Sequence, residues 1–353
     1  MENMVSRGYW FRGVVMHLNS ACRYPDLSNL FVRADVTEQA EALLPAIPAQ
    51  LERMQQALAG ELPVVEVGPH CDEPYECPFK ARCWKPVGDD HVSNLYSGRR
   101  LVARLLDDGI ESIVDIPAET VLSAIQTRQV RAMKAGKPVV EAGLAKALRT
   151  LKAPVAYLDF ETVNPAIPVW NGCGPYMAIP VQLSCHVIGA GGAMTHHEHL
   201  AEGSGDPRPA MAEAVIRACE GAETVVAYNA SFERTCLQHL ADHVPVQRAA
   251  LKSVMGRLVD LLPIVRDHVY LPAFGGGFGM KAVAPALVPS LDYGDLEIGE
   301  GSLASTILQR LLLGGESMDA AERERLRPHL LAYCERDTLA MVKVVERLRE
   351  MAS

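Results

Sequence analysis

The chain has 353 residues, 49% of them hydrophobic and 22% charged, with a formal net charge of −9. This is the composition of a folded globular protein with room for two domains. Its acidity excludes a surface coated in basic charge and confines any nucleic-acid contact to a local basic groove.

No apolar run is long enough to span a membrane, and the start Met1-Glu2-Asn3-Met4 lacks a basic-then-apolar signal. Nine cysteines, an odd number, favour a reducing cytoplasm over a disulfide framework. The expectation is a cytoplasmic protein with no membrane partner.

Residues 1–90 open on Trp10-Phe11-Arg12-Gly13-Val14-Val15-Met16-His17-Leu18, which reads as an interior strand. Its position near the first residue implies that the front half of a domain is missing. A helix begins at Thr37, with Thr37 as its N-cap. It breaks at Pro45 or Pro48 and resumes through Leu51–Leu58. Cys71, Cys77 and Cys83 then recur with five residues between each pair, in a proline-flanked segment too irregular for a helix core. Soft thiolates clustered in this way select zinc or an iron–sulfur cluster. A closed site wants four ligands; Cys22 is the nearest candidate for the fourth, and a residue upstream is another. Cys173, Cys185, Cys219, Cys236 and Cys334 are scattered and read as inert core thiols.

The segment from Gly68 to Trp84, preceded by His17-Leu18-Asn19, resembles the C-terminal end of RecB-type nuclease domains. In their CRISPR-associated relatives, late cysteines join an earlier one around a [4Fe–4S] cluster. The resemblance implies a truncated remnant of that domain over 1–90, because too little chain precedes the His17 strand to hold the Asp and Glu-x-Lys of its active site.

Residues 91–150 are helical in pattern and read as a linker. The stretch from Leu101 to Pro117, turning at Gly109-Ile110, looks like half of a helix-hairpin-helix, in which backbone amides contact phosphate. A plain helix–helix turn with glycine past the helix end fits equally well. Gln126–Lys137 is the most basic local stretch. It is either a nucleic-acid face or, the better reading, a solvated helix face.

From Pro154 strands and helices alternate, the α/β signature. Tyr157–Thr162 is the first strand, Gln182–Ile188 the second and Met194–Leu200 the third, with Gly191-Gly192 as the hairpin turn. A helix over 209–220 and a buried strand over 224–229 follow. An antiparallel hairpin followed by strand–helix units is the order of an RNase H-like mixed sheet flanked by helices, here over 151–353. Within the first strand Asp159 and Glu161 share one face while Leu158 and Phe160 take the other. Paired acids in an apolar strand are costly unless a cation offsets them. His197 and His199 share a face of the third strand with His196 on the other, a solvated edge in preference to a zinc trio. Phe274–Gly279, rich in glycine without a following Lys-Ser/Thr, reads as a mobile loop and substrate lip.

Further acids recur in order: Glu233 at a helix start in Asn229-Ala230-Ser231-Phe232-Glu233, Asp260 after a short apolar run, and Asp337 on a late helix. Asp260 reads as a cap for the next helix. Tyr333 and Asp337 are four residues apart on that late helix and share a face.

This ordered set resembles the DEDD superfamily of 3′→5′ exonucleases, tyrosine subclass. Asp159 and Glu161 match its Asp-x-Glu motif. Asn229 and Phe232 match the second motif, with Glu233 where the family has Asp. Tyr333 and Asp337 match Tyr-x-x-x-Asp, and Gly279–Leu287 looks like the family's small helix. With its RecB-type tail, the whole chain looks like a bacterial family predicted to join the two nuclease types. The resemblance implies two Mg²⁺ or Mn²⁺ ions on Asp159, Glu161, Glu233 and Asp337, with Tyr333 orienting the attacking water. It also implies contacts to a single-stranded 3′ end of DNA or RNA by Asn229, Phe232, Lys281 and Arg234. The alternative is a weak or inactive module that binds nucleic acid or protein, since Glu233 adds a methylene at one metal ligand.

Overall fold

The computed structural model describes residues 12–61, 65, 69–71, 75–83, 88–291, 293–294, 296–314 and 318–353. Trp10 and Phe11 of the expected first strand lie outside the described residues, as do Gly68, Asp72, Glu73, Pro74 and Trp84 of the cysteine-rich segment. The chain divides into two compact units, residues 1–86 with 165–177, and residues 87–164 with 178–353.

In the first unit, β1 (Val14–Leu18) pairs antiparallel with β2 (Phe31–Asp35). The strand expected to be interior is exposed: Met16 is 58% and Phe31 55% accessible. An apolar sequence run does not say which side a partner covers. Helices α1 (Thr37–Leu43) and α2 (Ile47–Ala59) follow. Val36, not Thr37, holds the N-cap position, because the Thr37 hydroxyl is engaged with the Gly13 amide at 3.1 Å and with Asp35 at 2.5 Å. Pro45 falls in a 3₁₀ turn and Pro48 in the first turn of α2, where a missing N–H costs nothing. A single turn, α3 (Lys80–Cys83), closes the described part of the cysteine-rich segment.

The second unit runs α4 (Arg99–Asp107), α5 (Ala124–Ala135), β3 (Val139–Val140), α6 (Leu144–Leu148), β4 (Val155–Val163), β5 (Ile179–Ile188) and β6 (Met194–Leu200). It continues with α7 (Arg208–Ala218), β7 (Thr224–Ala227), α8 (Ser231–His243), α9 (Arg248–Gly256), β8 (Leu258–Asp260), α10 (Leu261–His268) and β9 (Val269–Tyr270). It ends with α11 (Met280–Leu287), α12 (Gly301–Leu313) and α13 (Ala320–Met351).

Residues 91–150 pack into this unit. Val92, Leu95, Leu105, Ile113, Ile116 and Val130 form their own buried cluster. After α4, Gly109 at φ +75° receives the chain reversal. Its amide bonds Leu106 O and the Ile110 amide bonds Leu105 O, the paired closure of a helix end on a left-handed residue. Only a 3₁₀ turn, Ile113–Asp115, follows, so the plain turn describes this region and the half hairpin does not. The basic stretch on α5 is largely engaged within the unit. Arg128, 5% exposed, donates to the carbonyls of Arg266 and Asp267, Arg131 pairs with Glu141 at 3.0 Å, and Lys134 donates to Ile116 O. Arg128 is therefore not solvated, whereas Arg131, Lys134 and Lys137 are exposed, as a solvated helix face would have them. Residues 137–150 form β3, which pairs with β9, and the short α6, in place of one linker helix.

Five strands form a mixed sheet in the order β6-β5-β4-β7-β8. β4–β5 and β5–β6 are antiparallel; β4–β7 and β7–β8 are parallel. Helices cover both faces, as a sheet with parallel strands requires. On one face Ala156, Leu158, Phe160, Leu183, Cys185 and Val225 pack with apolar residues of α7, α8 and α9. On the other, Val155, Tyr157 and Val226 pack with α10, α11 and α13. Leu158 and Phe160 thus turn away from Asp159 and Glu161, as strand alternation requires. The 270–280 segment is anchored, not a mobile lip. Phe274 and Phe278 are buried with Tyr270, and a Cβ on Gly276, at φ +85°, would collide with Asn94 O. Among the described residues no helix is long and apolar enough to cross a membrane.

Leu158 has no exposure and sits in the middle of the first cluster. Leu158→Ala is expected to lower unfolding free energy by about 3 kcal/mol, read from urea denaturation. Val121→Ala, at a 91% exposed position, is expected to change it by under about 0.5 kcal/mol.

Candidate active site

The sheet places the first acids. Asp159 lies opposite Ser184 and Glu161 opposite Gln182 in the β4–β5 ladder, and the register shifts between Glu161 and Thr162. Such a bulge re-aims the strand end. β4 pairs with β7 only over Val155–Tyr157. From Asp159 onward the strand runs past its parallel neighbour, at the carboxyl ends where α/β sheets present ligand sites.

Helix α13 brings the partners across the same face. Its Gln182 contact, a 2.7 Å bond from the side-chain amide to Leu330 O, helps fix the helix on β5. Tyr333 and Asp337 face β4. One carboxylate oxygen from each of Asp159, Glu161 and Asp337 lies within 4.8 Å of the others. Glu233, in the first turn of α8, is 3% exposed and its Oε2 has no hydrogen-bond partner among the described residues. A glutamate at a helix start is ordinarily exposed; this one is drawn inward. It stands outside the three-carboxylate group yet acts electrostatically on both Asp159 and Glu161.

The charges interact strongly. Burial, then repulsion from Asp337, Glu161 and Glu233, raises the Asp159 pKa well above the carboxylate range. Burial and Asp337 push Glu161 up to about 8, with Lys281 opposing. Burial and Asp260 push Glu233 up to about 7. Asp337 is raised by burial, against hydrogen bonds from Tyr293 and Tyr333 and the charge of Lys281. Burial and the nearby carboxylates raise the Tyr333 and Tyr293 phenols, so both stay neutral donors.

Other expected residues divide. Lys281 heads α11 at the site, 5.5 Å from the Tyr333 ring centre and 5.8 Å from that of Tyr293, with its ammonium bonded to Gly299 O. Asn229 follows β7 at φ +62°, and its amide is held by Asp260 Oδ1 at 2.9 Å. Asp260 also accepts from the Leu262 amide, the capping role expected of it. Phe232 is 39% exposed beside Glu233. Arg234 is the outlier, reaching Met255 O at the end of α9 at 3.5 Å. Asp159, Tyr228, Gly279, Met280, Lys281, Tyr333, Asp337 and Met341 line a cleft of about 350 Å³.

Two residues were not expected here. Tyr293, from a loop with no motif, donates to Asp337 Oδ1 at 2.7 Å. Cys334 directs its thiol at Asp159 Oδ2, 3.4 Å away. Its only signal in the sequence is its place beside Tyr333; among the scattered cysteines it is otherwise indistinguishable from a core thiol.

The cysteines of the first unit are not gathered in this way. Cys22 and Cys71 are buried, Cys77 is half-buried and Cys83 exposed. Cys22 Sγ faces Asp26 O at 3.5 Å, and the Cys77 amide bonds Cys71 O. None of the four belongs to a group of convergent ligand atoms among the described residues. The fit to a four-thiolate metal or cluster site is therefore not made by this arrangement.

Residues 156–279 match the domain of unknown function DUF2779. The match takes in Asp159, Glu161, Asn229 and Glu233 but stops short of Lys281, Tyr293, Tyr333 and Asp337. No curated protein and no solved structure matches the chain.

The raised carboxyls fix a sign. A carboxyl whose folded pKa exceeds its unfolded value stabilises the fold fully below the unfolded value and loses that contribution as pH rises through the folded one. For Glu161 and Glu233 the loss runs from about 4.5 to about 8 and about 7 respectively. His186, depressed to about 4 by burial and His196, acts oppositely but only below its ordinary 6.5. Between pH 6.5 and 8, metal-free protein is therefore expected to lose on the order of 2 kcal/mol of stability. Urea unfolding in chelator checks this, and stability that is flat or rising across that window contradicts it.

Proposed function

We propose that the second unit is a metal-dependent 3′→5′ exonuclease with an RNase H-like sheet, hydrolysing phosphodiester bonds of DNA or RNA. The observation that carries this reading is the convergence of Asp159 and Glu161, from one strand, with Asp337, from a helix 178 residues later in sequence. Each of the three acids bears a cost of desolvation and repulsion in that position, which a cation would relieve. The strand order, an antiparallel hairpin followed by parallel strand–helix units, supports the fold reading.

The donor set suits hard cations. It is oxygen-only, its pKa values are raised by mutual repulsion that a cation relieves, and Glu233 offers an unpartnered buried oxygen. Two Mg²⁺ or Mn²⁺ ions held by Asp159, Glu161, Glu233 and Asp337 would supply water activation and charge neutralisation at the leaving 3′ oxygen. The chain's own groups do the rest. Tyr333, kept protonated and hydrogen-bonded to Asp337, would accept a hydrogen bond from the attacking water at its phenol oxygen and so orient it. Tyr293 holds Asp337 by its 2.7 Å bond. Lys281, at the cleft, meets a phosphate oxygen. Phe232, exposed beside Glu233, offers a face on which a terminal base stacks, and the Asn229 turn presents its amide side chain near that base. Arg234 is tied to α9 and is left out of this role.

The expected test is degradation of end-labelled single strands of DNA and RNA with Mn²⁺. Asp159→Ala and Asp337→Ala should each reduce the rate on the order of 10²–10³-fold, with Tyr333→Phe less affected. Equal rates in parent and Asp159→Ala remove the assignment. The second reading, a non-catalytic binding module, is favoured by one observation: Glu233 stands apart from the other three carboxylates. Calorimetric titration separates the two, since no saturable Mn²⁺ binding supports the module.

A further inference from the structure

Gln182 on β5 carries an unexplained atom. The residue is 1% exposed, and its two amide ends are in different states. Nε2 donates to Leu330 O of α13 at 2.7 Å. Oε1 is buried with no hydrogen-bond partner among the described residues. Chemistry fixes which end is which. A main-chain carbonyl only accepts, so the amide NH₂ faces Leu330 O and the carbonyl oxygen turns elsewhere. A buried acceptor left empty costs on the order of 1–3 kcal/mol, unless some further group fills it.

The sheet narrows where that group lies. Gln182 stands directly opposite Glu161 on β4 and opposite Leu200 on β6. Opposed residues of an antiparallel pair share a face, with Cβ atoms about 4.5–5.5 Å apart. Gln182 therefore lies on the face of Asp159 and Glu161, directly across from the second of them. Its other neighbours on that face offer no free donor. Leu200 is apolar, and Pro180, two residues along β5, has neither an N–H nor a polar side chain. Ser184, two residues the other way, is engaged with Thr338 at 2.7 Å and His196 at 2.9 Å. Ser305, reaching the end of β4 from α12, gives its proton to Thr162 O at 2.8 Å. The polar side left open is that of Glu161. A carboxylate that ligates a cation is ionised and only accepts. Two acceptors on one rung are joined by a molecule that donates to both, and water is the smallest that does.

We propose that Gln182 is a positioning residue of the acid site: its Oε1 accepts a hydrogen bond from a water held beside Glu161 when a divalent cation occupies the site. This rests on the metal reading of the site given above. Outer partners of this kind orient the groups around a metal and strengthen its binding. The same side chain acts at its other end. Leu330 precedes Tyr333 by three residues and Asp337 by seven, so one amide links the strand acids to the helix that brings the last carboxylate.

The test is calorimetric titration of Mn²⁺ into the full chain, its Gln182→Met variant and its Gln182→Glu variant. Met fills the same space with no acceptor oxygen. Glu supplies an oxygen at the same reach but no NH₂ for Leu330 O. Mn²⁺ affinity is expected to fall about 10-fold or more in Gln182→Met and to match or exceed the parent's in Gln182→Glu. Urea unfolding in chelator should show both variants less stable than the parent, since each loses the α13 anchor. Equal weakening of Mn²⁺ binding in both variants overturns the proposal and leaves Gln182 as an anchor only. A parent that binds Mn²⁺ while Gln182→Met binds it equally well also overturns it, with the metal reading intact. A parent with no saturable binding removes both together. If Gln182→Met fails to fold, Gln182→Asn, one methylene shorter, takes its place with the same outcomes.

Discussion

Several carboxylates recessed on one face of a single sheet, beneath one helix, set the terms for the rest of the second unit. Left alone they repel, and burial raises their protonation further. An arrangement that costly persists only when the scaffold over-determines it. The scaffold here does so with an apolar layer on the far side of β4, a helix fixed across β4 and β5, and phenols that donate into the cluster. The neutral tyrosines and the Lys281 ammonium offset part of the repulsion.

The elements differ in how plainly the sequence announced them. β6 falls over the stretch that alternation predicts, and α11 and α13 close to theirs, because each is bounded by turn residues or carries a strong helical period. The alternation of Leu158-Asp159-Phe160-Glu161 places the acids correctly, since a strand fixes direction residue by residue. The 91–150 region is less legible. Arg128 looks like a surface charge until two carbonyls of a segment nearly 140 residues away receive it. Phe274 and Phe278 look like parts of a flexible loop until Tyr270 and Tyr96 pack against them.

The site shows the same division. Asp159, Glu161, Tyr333 and Asp337 each belong to a spacing, so a pattern can find them. Tyr293 belongs to no spacing and acts only through where its loop is carried. The histidines gave a misleading period. His197 and His199 share a strand face, but the partner of His196 is His186 on the adjacent strand. A contact drawn from two elements leaves no trace in either of them.

Asp337 follows Asp159 by 178 residues, and that separation bears on how the molecule comes into being. Loop closure over such a distance comes late, after local pairings have formed. A nascent chain that has completed β4, β5 and β6 already carries Asp159 and Glu161 on an uncovered face, with His186 and His196 beside them. Until α13 emerges and docks, that face is an acidic, half-finished surface with neither Tyr333 nor Asp337 to complete it. The three-carboxylate group therefore closes only when α13 docks on the sheet, so its geometry reports the completed packing of this unit and not the pairing of its strands alone.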